Sequence, residues 1–174
     1  MKRLVLIAFT CLAAGLSVAG SQPPLRTVPH VELERYMGDW YVIANIPYFA
    51  EKDKVATIER YELGPNGKIA NTFIFRKKLF TAPEKQWHAT ATVVNTTTNA
   101  EWRVQFFWPV KLPYLVIDLD PDYRWAVVGH PTRHYLWILS RERTLTDAIY
   151  EGILERAATQ GYDISQIAKV PQPQ

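Results

Sequence analysis

Few side chains in this sequence have the type and spacing that chemistry needs. The one cysteine, Cys11, and the four histidines, His30, His88, His130 and His134, are the natural nucleophiles and metal ligands. A zinc site needs Cys and His in close pairs, and a nucleophilic site needs a Ser or Cys beside a base that a third group orients. The chain has neither pattern. Carboxylates remain, either as acid–base pairs or as partners for a bound cation. The 17 acidic and 20 basic residues are interleaved with no Lys/Arg run, which argues against nucleic acid as a partner. No catalytic residue, metal site or cofactor is expected on these grounds.

Cys11 lies inside the opening stretch MKRLVLIAFTCLAAGLSVAG, where a basic start at Lys2 and Arg3 leads into an apolar run and then into small residues. That pattern is a secretory signal, too short in its apolar part to span a bilayer. Ser17-Val18-Ala19 fits small-x-small cleavage, giving a signal over 1–19 and a mature chain over 20–174. The mature protein would be soluble and periplasmic or secreted, without a thiol. The alternative is a membrane-anchored lipoprotein with Cys11 as acceptor, although Phe9 and Thr10 stand where small residues would be wanted. Without Lys2 and Arg3 the formal net charge falls from +3 to +1.

The rest of the chain is 48% hydrophobic over the full length and long enough for one packed core, so a single domain is expected. Short β-rich segments recur at 40–47, 55–63, 68–78, 87–94, 101–107, 113–119, 124–130 and 134–141, divided by turns such as Gly64-Pro65-Asn66-Gly67. A helical turn in VELERYMG precedes them, and Ile149, Ile153, Leu154 and Ala157 follow at helical spacing within 146–161. The expectation is an all-β chain: an eight-stranded antiparallel up-and-down β-barrel over about 39–141, with an N-terminal helical turn and one C-terminal α-helix. Closure removes the sheet edges and leaves an interior wide enough for one small ligand.

Gly38-Asp39-Trp40, Asp122-Tyr123 and Arg141 at the end of WILSR together resemble the three signature regions of the lipocalin family, in order and at barrel spacing. The motifs YMGDWYVIA, PDYRWAVVGHP and YLWILSR are most similar to its bacterial and apolipoprotein D-like branch. The resemblance implies that Trp40 plugs the closed end, that Arg141 stacks over its indole and donates to main-chain carbonyls, and that Gly38 permits a tight turn beneath. Pro121 departs from the threonine many members carry before Asp-Tyr, removing a donor from that turn.

With Trp40 and Arg141 facing inward, as the resemblance implies, alternation places Val42, Ala44 and Ile46 inside on the first strand and Tyr135, Trp137 and Leu139 inside on the eighth. Aligned to the family pattern, the other strands contribute Glu59, Tyr61, Phe73, Phe75, Ala89, Ala91, Val104, Phe106, Val116, Asp118 and Val127. A bulge or a one-residue slip would exchange a strand's set. These side chains either fill a solid core or line a small-molecule cavity. The resemblance implies the cavity, and a lipid of fatty-acid or lysophospholipid type as its ligand, with Tyr61, Phe106, Tyr135 and Trp137 as first contacts.

Glu59 and Asp118 are unusual on inward positions, since a buried carboxylate is costly unless paired or protonated. Either the register is misjudged, or one is held by a salt bridge, for instance to Lys77 or Arg103, or one selects a cationic or hydroxyl-bearing head group. An acid–base pair for an isomerase or cyclase is the enzymatic alternative. His30 lies before the barrel, and His88, His130 and His134 fall at strand positions or ends that alternation turns outward. Trp108-Pro109-Val110-Lys111-Leu112-Pro113-Tyr114 is apolar for an exposed connection; it either folds over its own barrel or rests on a membrane, a partner subunit or the cavity mouth. Monomer and homodimer both remain open.

Overall fold

The computed structural model describes residues 22–173, so the expected signal over 1–19, with Cys11, lies outside the described residues. A short helix α1 (Leu33–Tyr36) leads into eight antiparallel strands: β1 (Gly38–Asn45), β2 (Lys54–Leu63), β3 (Lys68–Lys77), β4 (Lys85–Val93), β5 (Glu101–Phe107), β6 (Val110–Leu119), β7 (Trp125–Gly129) and β8 (Leu136–Ser140). Each pairs with the next, and β1 pairs with both β8 and β2, which closes the barrel. Helix α2 (Asp147–Thr159) and a two-residue strand β9 (Ala168–Lys169) follow. The expected barrel is borne out. β6 begins at Val110 rather than at 113, because Phe107 pairs with Val110 and the turn shrinks to Trp108-Pro109.

Local chemistry accounts for the ends of α2. The Thr146 hydroxyl accepts from the Ile149 amide and caps the first turn, while Gly161, at φ +85°, lets the chain leave after the last. Ile153 and Ala157 are buried against the outside of the barrel, on Ile43, Ala44, Leu136 and Ile138. A second apolar cluster fills the interior.

The seam between β1 and β2 closes only part way. Gly38–Tyr41 pair with Ile58–Tyr61, and beyond them the strands diverge at a bulge around Ala56. The C-terminal tail fills the gap. β9 pairs with Ala44 and Asn45, Ala56 N donates to Pro171 O, and Gln172 Nε2 donates to Val42 O and Thr57 O at 2.9 and 3.1 Å. Exposed strand edges are thereby satisfied without a continuous ladder.

Candidate ligand-binding site

The closed end is built by Gly38, Trp40 and Arg141. Gly38 has φ +93°, which disfavours any side chain, and an added Cβ would sit 3.4 Å from Arg141 Nη1. The Arg141 guanidinium lies 3.7 Å over the Trp40 ring and donates to the carbonyls of Asp39, Arg35 and Met37, each at 2.8 Å. Trp40 Nε1 donates to Tyr36 O at 2.8 Å. Asp39 is held below the usual carboxylate range by its two-pronged contact with Arg60, at 2.6 and 2.8 Å. Asp120 organises the turn that contains Pro121. It accepts from the Asp122 and Arg124 amides and from the Arg124 side chain, so the turn is held without a donor at Pro121. Asp122 itself is exposed, whereas the Tyr123 hydroxyl accepts from Glu32 N at 2.8 Å.

Above Trp40 the barrel is solid. Tyr36 and Tyr114 hydroxyls share a hydrogen bond at 2.9 Å, and Tyr114 donates to Tyr61 at 3.0 Å. Trp102 stacks on Tyr114 with centroids 4.7 Å apart and planes 4° from parallel. Burial pushes the Tyr61 and Tyr114 phenols well above their ordinary values, so they stay neutral and act only through hydrogen bonds and packing. Tyr61, expected as a first ligand contact, is 1% exposed in this floor.

Towards the open end lies a cavity of about 420 Å³ lined by Asn45, Glu51, Lys54, Thr57, Phe73 and Lys78, together with the tail residues Ala168–Pro171. Glu51 accepts from Asn45 Nδ2 at 2.5 Å and from Trp137 Nε1 at 3.1 and 3.2 Å. The Lys54 ammonium lies 4.2 Å over both the Phe75 and Trp87 rings and donates to Ala50 O. Thr57 Oγ1 is buried and has no partner among the described residues, which leaves it available to a ligand's polar group.

Glu59 stands one inward position below Thr57, opposite Trp40 on β1 and Phe73 on β3. It borders interior space, so some of its surface is accessible, but the barrel wall encloses the carboxyl, and enclosure governs its charge. Burial pushes it up to about 8, against the pull of the Asn71 amide donating at 2.6 Å, and Glu51 adds to the rise. Burial also raises Glu51, opposed by its contacts with Trp137 and Asn45 and by the Lys54 charge.

Val42, Glu59, Phe73, Phe75, Ala89, Ala91, Val104, Val116 and Trp137 face the interior as the alternation requires. Tyr135 lies just before β8, half-buried at the mouth against Tyr48 and 6.3 Å from Trp137. Four expected placements are corrected by bulges or a slip. A bulge at Ile43 turns Ala44, and Ile46 after it, out towards α2 and brings Asn45 inward. A bulge between Val116 and Asp118 turns Asp118 outward, where its partner is Arg156, at 2.6 Å, rather than Lys77 or Arg103. On β7 it is Ala126 and Val128 that face inward, and Val127 packs outside. Asp118 and Val127 line a separate cleft of about 390 Å³ against α2. Phe106, beyond a bulge in β5, is 39% exposed at the rim.

Glu59 and Asp118 therefore lie on opposite faces of the barrel wall and cannot act as an acid–base pair. Asn71 and Trp87 were legible from the alternation of Phe73 and Ala89 but are absent from the expected set. Glu51 and Asn45 were not legible, since one lies in a loop and the other follows a bulge.

The capped eight-stranded barrel has counterparts of the same fold among known proteins. Insecticyanin from the tobacco hornworm Manduca sexta superposes with a TM-score of 0.68 at 20% identity, covering 89% of this chain and 88% of that one. By sequence, temperature-induced lipocalin-1 of Arabidopsis thaliana is 35% identical over 157 residues, 85% of this chain and 83% of the relative. Outer membrane lipoprotein Blc of Escherichia coli is 34% identical over 180 residues, 99% of each. Residues 31–172 match the family model described as a lipocalin-like domain. With Trp40, Arg141 and the closed eight-stranded barrel in place, this chain belongs to the lipocalin family.

Proposed function

We propose that the protein is an exported carrier that holds a lipid, of fatty-acid or lysophospholipid type, non-covalently in the open half of the barrel. The observation that carries this reading is the composition of the cavity wall: Lys54 and Lys78 near the mouth, over Val55 and Phe73, with Phe75 stacked on Phe73 behind them. An acyl chain entering that interior gains about 0.8 kcal/mol per buried methylene, and an anionic head at the mouth meets ammonium groups. Glu59 does not oppose such a ligand, because its carboxyl stays largely neutral below about pH 8. The basic and apolar opening segment supports export, and the similarity to Blc, an outer membrane lipoprotein by name, is compatible with it.

Native mass spectrometry of the protein purified from its own host, followed by denaturing extraction, tests the reading. A stoichiometric bound lipid is the expected result. A clean unliganded mass, with no quenching of Trp137 by a panel of fatty acids and lysophospholipids, would overturn it.

A further inference from the structure

The open end of the barrel carries a feature that holding a ligand does not require. Because the strands form an antiparallel meander, the loops after β1, β3, β5 and β7 all project from one end. Nine of the twelve large apolar side chains left exposed among the described residues lie on these loops or the strand ends beside them, so the exposure is not spread over the surface. At the tips stand Phe49 at 91% exposure, Leu79 at 64%, Phe107 at 66% and Trp108 at 86%. They come from three separate loops and ring the mouth instead of forming one groove. Scattered apolar residues need no explanation, but a ring of protruding ones on a single end does.

Charge is distributed in the same direction. Lys52, Lys77, Lys78, Lys85 and Lys111 are exposed on those loops or strand ends. Of the acids there, Glu51 is turned inward and Glu84 is paired with Arg76 at 3.3 Å, leaving Asp53. At the closed end the cations are matched: Arg35 pairs with Glu32, Arg60 with Asp39, and Arg124 with Asp120 and Asp122. A chain with little net charge thus has a basic pole around its mouth.

We infer that the open end docks on an anionic lipid surface, with Phe49, Leu79, Phe107 and Trp108 entering the interface and the surrounding lysines lying against the head groups. Aromatic side chains favour the head-group level, and lysines near it gain from the negative surface potential. A second copy of this chain fits less well, because mouth-to-mouth contact would set the lysine rings against each other. Docked in this way, the cavity mouth faces the acyl layer, and a lipid passes between bilayer and barrel without crossing water. The inference stands on surface residues and is independent of what the cavity holds.

Vesicle co-sedimentation of the chain from Gly20 onward, without its apolar leader and with no ligand added, tests it. Vesicles of equal phosphatidylglycerol and phosphatidylcholine should bind at least about tenfold better than phosphatidylcholine alone, and added salt should weaken the binding. Brominated acyl chains should quench the tryptophan emission, and Trp108→Ser should remove that quenching. Phe49→Ser with Trp108→Ser should abolish binding at unchanged melting temperature, and Lys85→Glu with Lys111→Glu should abolish the preference for anionic lipid. Absence of vesicle binding, or binding that survives both double variants, would overturn the inference. So would a dimer, formed without vesicles, that the Phe49/Trp108 variant dissolves, since it would make a second copy the occupant. Failure to find a bound lipid in the cavity would leave the vesicle result untouched.

Discussion

Trp137 and Glu51, 86 residues apart in sequence, meet at the cavity mouth, where the indole N–H donates to both carboxylate oxygens at 3.1 and 3.2 Å. Asn45 completes the grip on Glu51 from β1. The contact ties the β1–β2 loop to β8 and makes Trp137 a reporter of the charge beside it. Burial holds Glu51 above its ordinary 4.5, so Trp137 emission should change with a midpoint above that value. Fluorescence titration of the protein against Trp137→Phe isolates this signal from the other five tryptophans. In Glu51→Gln the step should vanish, and an unchanged titration would show that the contact does not form in solution.

Glu59 should give stability a slope with pH. The folded chain keeps its proton up to about pH 8, whereas the unfolded chain releases it near 4.5. Stability from this group is therefore fully present below 4.5, falls as pH rises through that window, and is level above it. Glu59→Gln removes the ionisable group while keeping a partner for Asn71, and should flatten the slope. Above about pH 8 the variant should melt higher than the parent, by about 2–4 °C for each kcal/mol relieved. Glu51 adds a slope of the same sign to both proteins, so the difference between them is the measurement. Parallel melting curves at all pH values would show that Glu59 is not enclosed.

The barrel was legible in the sequence because period-two alternation and turn residues act locally, and Gly38, Trp40 and Arg141 fix the closed end wherever the strands lead. What alternation could not show was where it breaks. The bulges at Ile43 and between Val116 and Asp118 each add one residue that reverses every later side chain on the strand. Ala44 and Asp118 left the interior for this reason, and Asn45 entered it. The solid floor was hidden for a different reason. Tyr36, Tyr61, Trp102 and Tyr114 come from four elements, and only their convergence shows that the lower half is filled.

Asp118 should matter little to ligand uptake. Its carboxylate meets Arg156 of α2 on the outer wall, with the arginine half-exposed, a setting in which an ion pair contributes about 0–1 kcal/mol. Asp118→Asn should leave uptake of a fluorescent fatty acid within experimental error and lower stability by no more than about 1 kcal/mol. A marked loss of uptake at unchanged stability would place the outer cleft, and not the barrel interior, at the binding site.

Arg141 makes the sharper structural prediction. Three carbonyls along the chain entering β1, those of Arg35, Met37 and Asp39, converge on one guanidinium that also covers Trp40. A lysine ammonium can reach one or two of them and cannot lie flat on the indole, because it is a point charge and not a plane. Arg141→Ala should cost about 2–4 kcal/mol, from three lost hydrogen bonds and an uncovered ring, and Arg141→Lys should recover less than half. Urea unfolding followed by far-UV circular dichroism measures both. The cavity lies at the other end, beyond the floor of Tyr36, Tyr61, Trp102 and Tyr114, so both folded variants should bind the same ligand with unchanged affinity. An Arg141→Lys variant as stable as the parent would mean that water serves these carbonyls as well as the guanidinium does, and that Arg141 closes the barrel by its charge alone.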